Sequence, residues 1–202
     1  MKSLFDKVYD EVLDILTSEL PQYLTYHSVN HTLYVLKMAE YLAWREGLPP
    51  EEIELIRLAA IFHDIGFIEG REDHEEKGCR IAREMLSKYE FSEEELEKIC
   101  GMIMATKIPQ KPKNLAERVL ADADLEYLST ENFEPVSEML FKELRHFNKD
   151  LSRSEWQEIQ ISFLENHAYH TDFCKKYKES FKHQHLLKLK GLDLKSIQSK
   201  KA

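Results

Sequence analysis

The chain has 202 residues, 43% hydrophobic and 32% charged, a composition that can bury one core with a helical extension and is short for two full domains. Its net charge is −9, yet residues 174–202 hold nine Lys against Glu179 and Asp193, a local +7 that leaves −16 on the rest. An acidic body argues against a groove for a nucleic-acid backbone, and no apolar run approaches the roughly 18 residues of a membrane span.

The Met1–Asp10 stretch is mixed-charge and lacks the apolar segment of a signal peptide. Cys79, Cys100 and Cys174 are odd in number and widely spaced, which suggests neither a disulfide framework nor a Cys-rich zinc site, and the expected location is a reducing cytoplasm. The hydrophobic period is helical throughout, so an all-α fold is expected. Phe5 to Leu20 is amphipathic and stops at Pro21. A second helix runs from about His27 to Glu46 and ends at Gly47. The third opens at Pro49-Pro50-Glu51-Glu52 and reaches Gly66; the fourth spans His74 to Tyr89. Ser92 with Glu95, and Asn114 with Glu117, have capping-box spacing and start a fifth helix ending before Pro109 and a sixth running through Leu128. Pro135–Phe147 and Glu155 to roughly Leu189 supply the remaining helices, with Ser152 a cap between them, and Lys195–Ala202 frays.

Three of these helices carry polar residues where a core is expected. On the second, His31 shares a stripe with Val35, Met38 and Leu42 and so points inward, and His27 lies one turn before it. An inward His by itself is more often simply hydrogen-bonded. The third is apolar on every side at Leu58-Ala-Ala-Ile-Phe62 and delivers His63-Asp64 directly afterwards. A buried ionised Asp is costly unless paired or bound to a cation, and the adjacent imidazole makes a metal the economical partner. The sixth carries Asp122 and Asp124, two residues apart and so about 200° around the axis, and periodicity does not choose between them.

A His on one helix, a His-Asp pair on a later one and a distant Asp after Ala resemble the HD superfamily of metal-dependent phosphohydrolases. Here the pattern reads His31, His63-Asp64 and Ala123-Asp124, over roughly residues 25–130. The resemblance selects Asp124 over Asp122 and implies His31, His63, Asp64 and Asp124 as metal ligands, in an all-α HD-domain bundle. It divides the chain into an N-terminal helix (1–24) packing on the core, the HD domain (25–130) and a C-terminal helical extension with a basic tail (131–202).

Tyr26-His27-Ser-Val-Asn-His31 also looks like the start of the distantly related cyclic-nucleotide phosphodiesterases, where the first His donates a proton to the leaving group. That implies a catalytic part for His27 beside Asp64, although Ser28 stands where those enzymes have Asn. Two-metal HD members carry further His after the pair. His74 is one such position, but the end of the fifth helix reads Met104-Ala-Thr-Lys107 with no His. One tightly held metal is therefore expected, with His74 near the substrate and Lys107 a source of charge for a phosphate.

Ile65-Gly-Phe-Ile-Glu69 lacks the Glu-Asp pair of alarmone hydrolases. His167 and His170 are read as packing residues, and Trp156, Phe163 and Phe173 as packing the extension onto the domain.

Two imidazoles and two carboxylates suit one divalent ion of the Mn, Fe, Co, Ni or Zn kind, with Mg less favoured. The implied activity is hydrolysis of a phosphomonoester or phosphodiester, a nucleotide first, with no nucleic acid or membrane as partner; oligomeric state is not readable. A non-catalytic regulatory HD module is the alternative. Di-iron oxygenation ranks last, since it wants more His.

Overall fold

A computed structural model describes residues 3–192. Among them are ten α-helices, two 3-10 segments and no strand, the all-α architecture expected. The chain divides into two compact units, one through Asp124 and one from Leu125. The Lys195–Ala202 tail lies outside the described residues.

The first unit holds α1 (Leu4–Glu19), α2 (Val29–Arg45), α3 (Pro50–Phe62), α4 (His74–Leu86), α5 (Glu93–Ala105) and α6 (Leu115–Asp124). Serine caps start several of them. Ser3 and Ser92 form full capping boxes with Asp6 and Glu95, and Asn114 exchanges hydrogen bonds with Glu117 at 2.9 and 2.8 Å. α1 buries Phe5, Val8, Val12 and Leu16, one face at helical spacing. α3 is central: it packs on α1, α2, α5 and α6, and Leu58 to Phe62 are all buried.

Three boundaries beside the polar residues differ from the expected ones. α2 begins at Val29 because Ser28 is its cap, its hydroxyl accepting from His31 N, so His27 precedes the helix. The one-face relation of His27 and His31 therefore does not hold as an intrahelical spacing. α3 stops at Phe62, not Gly66. His63 Nδ1 donates to Ala60 O at 2.7 Å, meeting one of the last carbonyls, and Ile65–Glu69 continues as a 3-10 turn. α6 ends at Asp124 rather than at Leu128, and Glu126–Ser129 is a second 3-10 segment.

The second unit contains α7 (Phe133–Phe147), α8 (Arg153–Asn166), α9 (Asp172–Tyr177) and α10 (Glu179–Leu189). The stretch expected to be helical from Glu155 to Leu189 is broken at residues 167–171, where Thr171 caps α9 by accepting from Cys174 N at 3.2 Å. Trp156 is buried against Phe141, ring centroids 6.0 Å apart. Phe163 stacks on His167 and Phe173 on Tyr177. Lys182, 2% exposed, donates to His167 O and pairs with Glu179 at 2.6 Å, so His167 belongs to the packing of this unit. His170 is half-buried.

Candidate metal centre

Four side chains from three helices meet inside the first unit. His31 comes from the first turn of α2, His63 and Asp64 from the end of α3, and Asp124 from the last position of α6. His31 Nε2 is 3.0 Å from Asp124 Oδ1, 3.5 Å from Asp64 Oδ2 and 3.3 Å from His63 Nε2. His63 Nε2 is in turn 3.1 Å from Asp64 Oδ2 and 3.7 Å from Asp124 Oδ1. His31, His63 and Asp124 each place one donor atom within 4.8 Å of the others, a group able to hold a metal ion. Asp64 stands against both imidazoles at its edge. Asp122 is fully buried and is not one of the residues grouped to hold an ion.

The chemistry of the set fits a divalent cation. Donor atoms around one ion at about 2.1 Å lie roughly 3.0–3.4 Å from one another, close to the separations seen here. The Nδ1–H of His63 is occupied by Ala60 O, so in the neutral ring the lone pair lies on Nε2 and faces His31. Asp64 Oδ2 is buried and accepts no hydrogen bond, although His63 Nε2 is 3.1 Å away. A buried carboxylate oxygen left this way is costly unless a cation completes it.

The titration of the pair tells the same story. Burial opposes charge on His63, but Asp64, by charge and contact, and Asp124 outweigh it and raise the imidazole from 6.5 to about 9. Burial would likewise raise Asp64, yet His63 first, then His27 and His31, hold its carboxyl well below the ordinary range. The site demands positive charge, and a proton on His63 is the least that satisfies it.

Around this group lies an aromatic cluster. Phe67, 2% exposed, stacks on His27 at 4.2 Å and on His74 at 4.0 Å, and the two imidazole centroids are 6.1 Å apart. His74 Nε2 is 3.7 Å from Asp64 Oδ1 and 3.4 Å from Glu75 Oε1. Gly66 makes this approach possible: a Cβ there would sit 1.9 Å from His74 O. Asp73, which caps α4 in a left-handed conformation (φ 49°), receives Lys107 Nζ at 3.1 Å, and Glu76 receives it at 2.6 Å. Lys107 is thus engaged with two carboxylates beside the first turn of α4.

Glu75 and Phe67 were not singled out from sequence. Glu75 could have been: with Gly78, Ala82 and Leu86 it forms the buried stripe of α4. Phe67 sits in a short 3-10 turn with no period to reveal it.

Residues 28–126, which span the whole four-residue group, match the family model of the HD domain. The chain carries an HD domain. Over its full length this HD-domain protein is similar to a crystal structure from an uncultured Thermotogales bacterium, named as a predicted HD superfamily hydrolase. The TM-score is 0.61 and the identity 18%, with 100% of each chain covered. At that identity the likeness speaks for the fold. No curated protein matches the chain.

Proposed function

We propose that this HD-domain protein is a metal-dependent phosphohydrolase acting on a small phosphomonoester or phosphodiester, with a nucleotide as the first class to test. The observation that supports it most is the unpartnered, buried Oδ2 of Asp64 between two imidazoles whose Nε2 atoms face each other at 3.3 Å. A neutral imidazole can share a ring proton with Asp124 at 3.0 Å, but that leaves the buried Asp64 Oδ2 without a donor until a proton or a cation is added.

In this reading His31, His63, Asp64 and Asp124 hold one divalent ion, of the Mn, Fe, Co, Ni or Zn kind before Mg. Such an ion, when bound, lowers the pKa of water and offsets charge on a phosphoryl oxygen. Asp64 orients the attacking water through its second oxygen. His27, held flat on Phe67, holds a proton for the leaving oxygen. His74, also stacked on Phe67, contacts the substrate. Lys107 offers its charge at the rim only by exchanging a carboxylate of Asp73 or Glu76 for a phosphate oxygen. A cytoplasmic location belongs to the same proposal. Its support is that, among the described residues, no helix is long and apolar enough to cross a membrane.

The test is a panel of nucleotides and an activated aryl phosphate, assayed with Mn²⁺, Co²⁺, Ni²⁺, Zn²⁺ and Mg²⁺, for wild type and Asp64→Asn. Metal-dependent turnover lost in the variant supports the reading. No turnover by folded, metal-loaded protein favours a second one, a regulatory HD module that binds a nucleotide or a protein without hydrolysis. What keeps that alternative open is the end of α5, which reads Met104-Ala-Thr-Lys107 without a His.

A further inference from the structure

α4 and α5 form a hairpin, and Cys79 and Cys100 face each other across it. Cys79 lies seven positions before Leu86, the last residue of α4, and Cys100 seven positions after Glu93, the first of α5. The contact is reciprocal: Cys79 Sγ is 3.5 Å from Cys100 O, and Cys100 Sγ is 3.7 Å from Cys79 O. Gly78, next to Cys79, lets the helices close, since a Cβ there would already touch Ile103 of α5 at 3.6 Å and Phe62 O at 3.1 Å. Cys79 is half-buried, while Cys100 is 8% exposed. The two thiols therefore share one gap that a small oxidant can reach from the side of Cys79.

The surroundings separate the pair chemically. The Cys79 thiol beside it is the largest influence on Cys100; burial opposes, and the Arg83 guanidinium assists, so that Cys100 is lowered to about 7. The same contact, with burial and Glu76, pushes Cys79 up. Arg83 itself is anchored by Glu93 at 2.6 Å and by Glu97. One sulfur is thus the better nucleophile and its neighbour the resolving thiol, as in sites that sense peroxide.

We infer that Cys79 and Cys100 are a reversible oxidation site, closed by hydrogen peroxide into an intrachain disulfide between α4 and α5. The Cys100 thiolate attacks one peroxide oxygen, the O–O bond breaks, and a sulfenic acid forms; the departing hydroxide takes up the thiol proton as water. Cys79 then attacks that sulfur, the S–O bond breaks and a second water leaves. Two thiols and one peroxide give one disulfide and two waters, and a dithiol reductant restores both thiols. α4 also carries His74 on its first turn, five residues before Cys79, so the bond ties the helix that faces Asp64. Cys174, in the second unit and fully buried, stays reduced.

The test is thiol counting and peptide mapping on the full chain, metal-loaded with Zn²⁺ to avoid iron chemistry, before and after a few equivalents of hydrogen peroxide. The expected result is a fall from three free thiols to one. The intact mass should drop by two hydrogens, one peptide pair should join Cys79 to Cys100, and dithiothreitol should reverse all three changes. In Cys79→Ser, checked for folding by circular dichroism, the disulfide is lost and a dimedone adduct marks Cys100 instead. Three thiols surviving peroxide in folded wild type, or cross-links only through Cys174 or between chains, would overturn the inference. Because the wild-type thiol count decides the matter, a failure of the variant to fold does not shelter it.

Discussion

His31 Nε2 and His63 Nε2 face each other at 3.3 Å, each with a carboxylate oxygen within 3.1 Å: Asp124 for the first, Asp64 for the second. Two imidazole nitrogens and two carboxylate oxygens converge, and added positive charge, a proton or a metal ion, stabilises them. The strongest expectations concern that charge.

The native protein should bind about one divalent ion per chain, measured by elemental analysis after gel filtration. His63→Ala and Asp124→Ala should each remove it. Asp122→Ala should keep the ion and lose about 1–3 kcal/mol of stability instead, since Asp122 is fully buried and is not one of the residues grouped to hold an ion. Metal lost from Asp122→Ala and kept by Asp124→Ala would mean that α6 is misassigned by two positions.

In metal-free protein, stability should fall as pH rises from 6.5 to about 9. His63 has a folded pKa above its ordinary value, so its protonation stabilises the fold fully below 6.5 and that contribution vanishes as pH passes about 9. Melting temperatures of chelator-treated protein across this window check it. Metal-loaded protein should show a much smaller drop, because the ion replaces the proton, and metal affinity should rise with pH over the same range. A melting temperature that climbs between these values in chelated protein contradicts the electrostatic account.

Asp64→Asn should fold and yet fail to hydrolyse, with kcat/KM down by at least about a hundredfold. The amide keeps the size and removes the charge that holds the ion. Equal rates in wild type and variant would assign the hydrolysis to a contaminant.

His27→Ala should be milder and selective, slowing esters of poor leaving groups more than an activated aryl phosphate. If both substrates slow equally, the effect belongs to the stack of His27 on Phe67 rather than to proton donation.

Most of the helices were legible because caps and apolar stripes agree: Ser92–Glu95 opens α5, and Pro50 opens α3 after the Gly47 turn. What escaped were places where a side chain competes with the backbone. Ser28 moves the start of α2 past His27, and His63 Nδ1 takes a carbonyl at the end of α3; neither alters the hydrophobic period. The break before Thr171 has no Pro or Gly to announce it. For the site, His31 and His63-Asp64 could be read as inward-facing from their apolar neighbours, whereas the choice of Asp124 needed the family pattern. Glu75 was readable from the α4 stripe, and Phe67 was not, since a five-residue 3-10 turn has no face to count.

At Gly66, the carbonyl of His74 fills the space any side chain would need, so the His-Asp turn and the start of α4 are joined by contact of bare backbone. Such a joint has no slack. Gly66→Ala should cost about 3 kcal/mol and shift His74 from Asp64, a coupled loss measurable by urea unfolding and metal titration. Under the proposed function, variation in substrate would then fall to residues beside the first turn of α4, such as Lys107, Asp73 and Glu76, while the spacing of Asp64 to His74 stays constant like the fixed jaw of a vice.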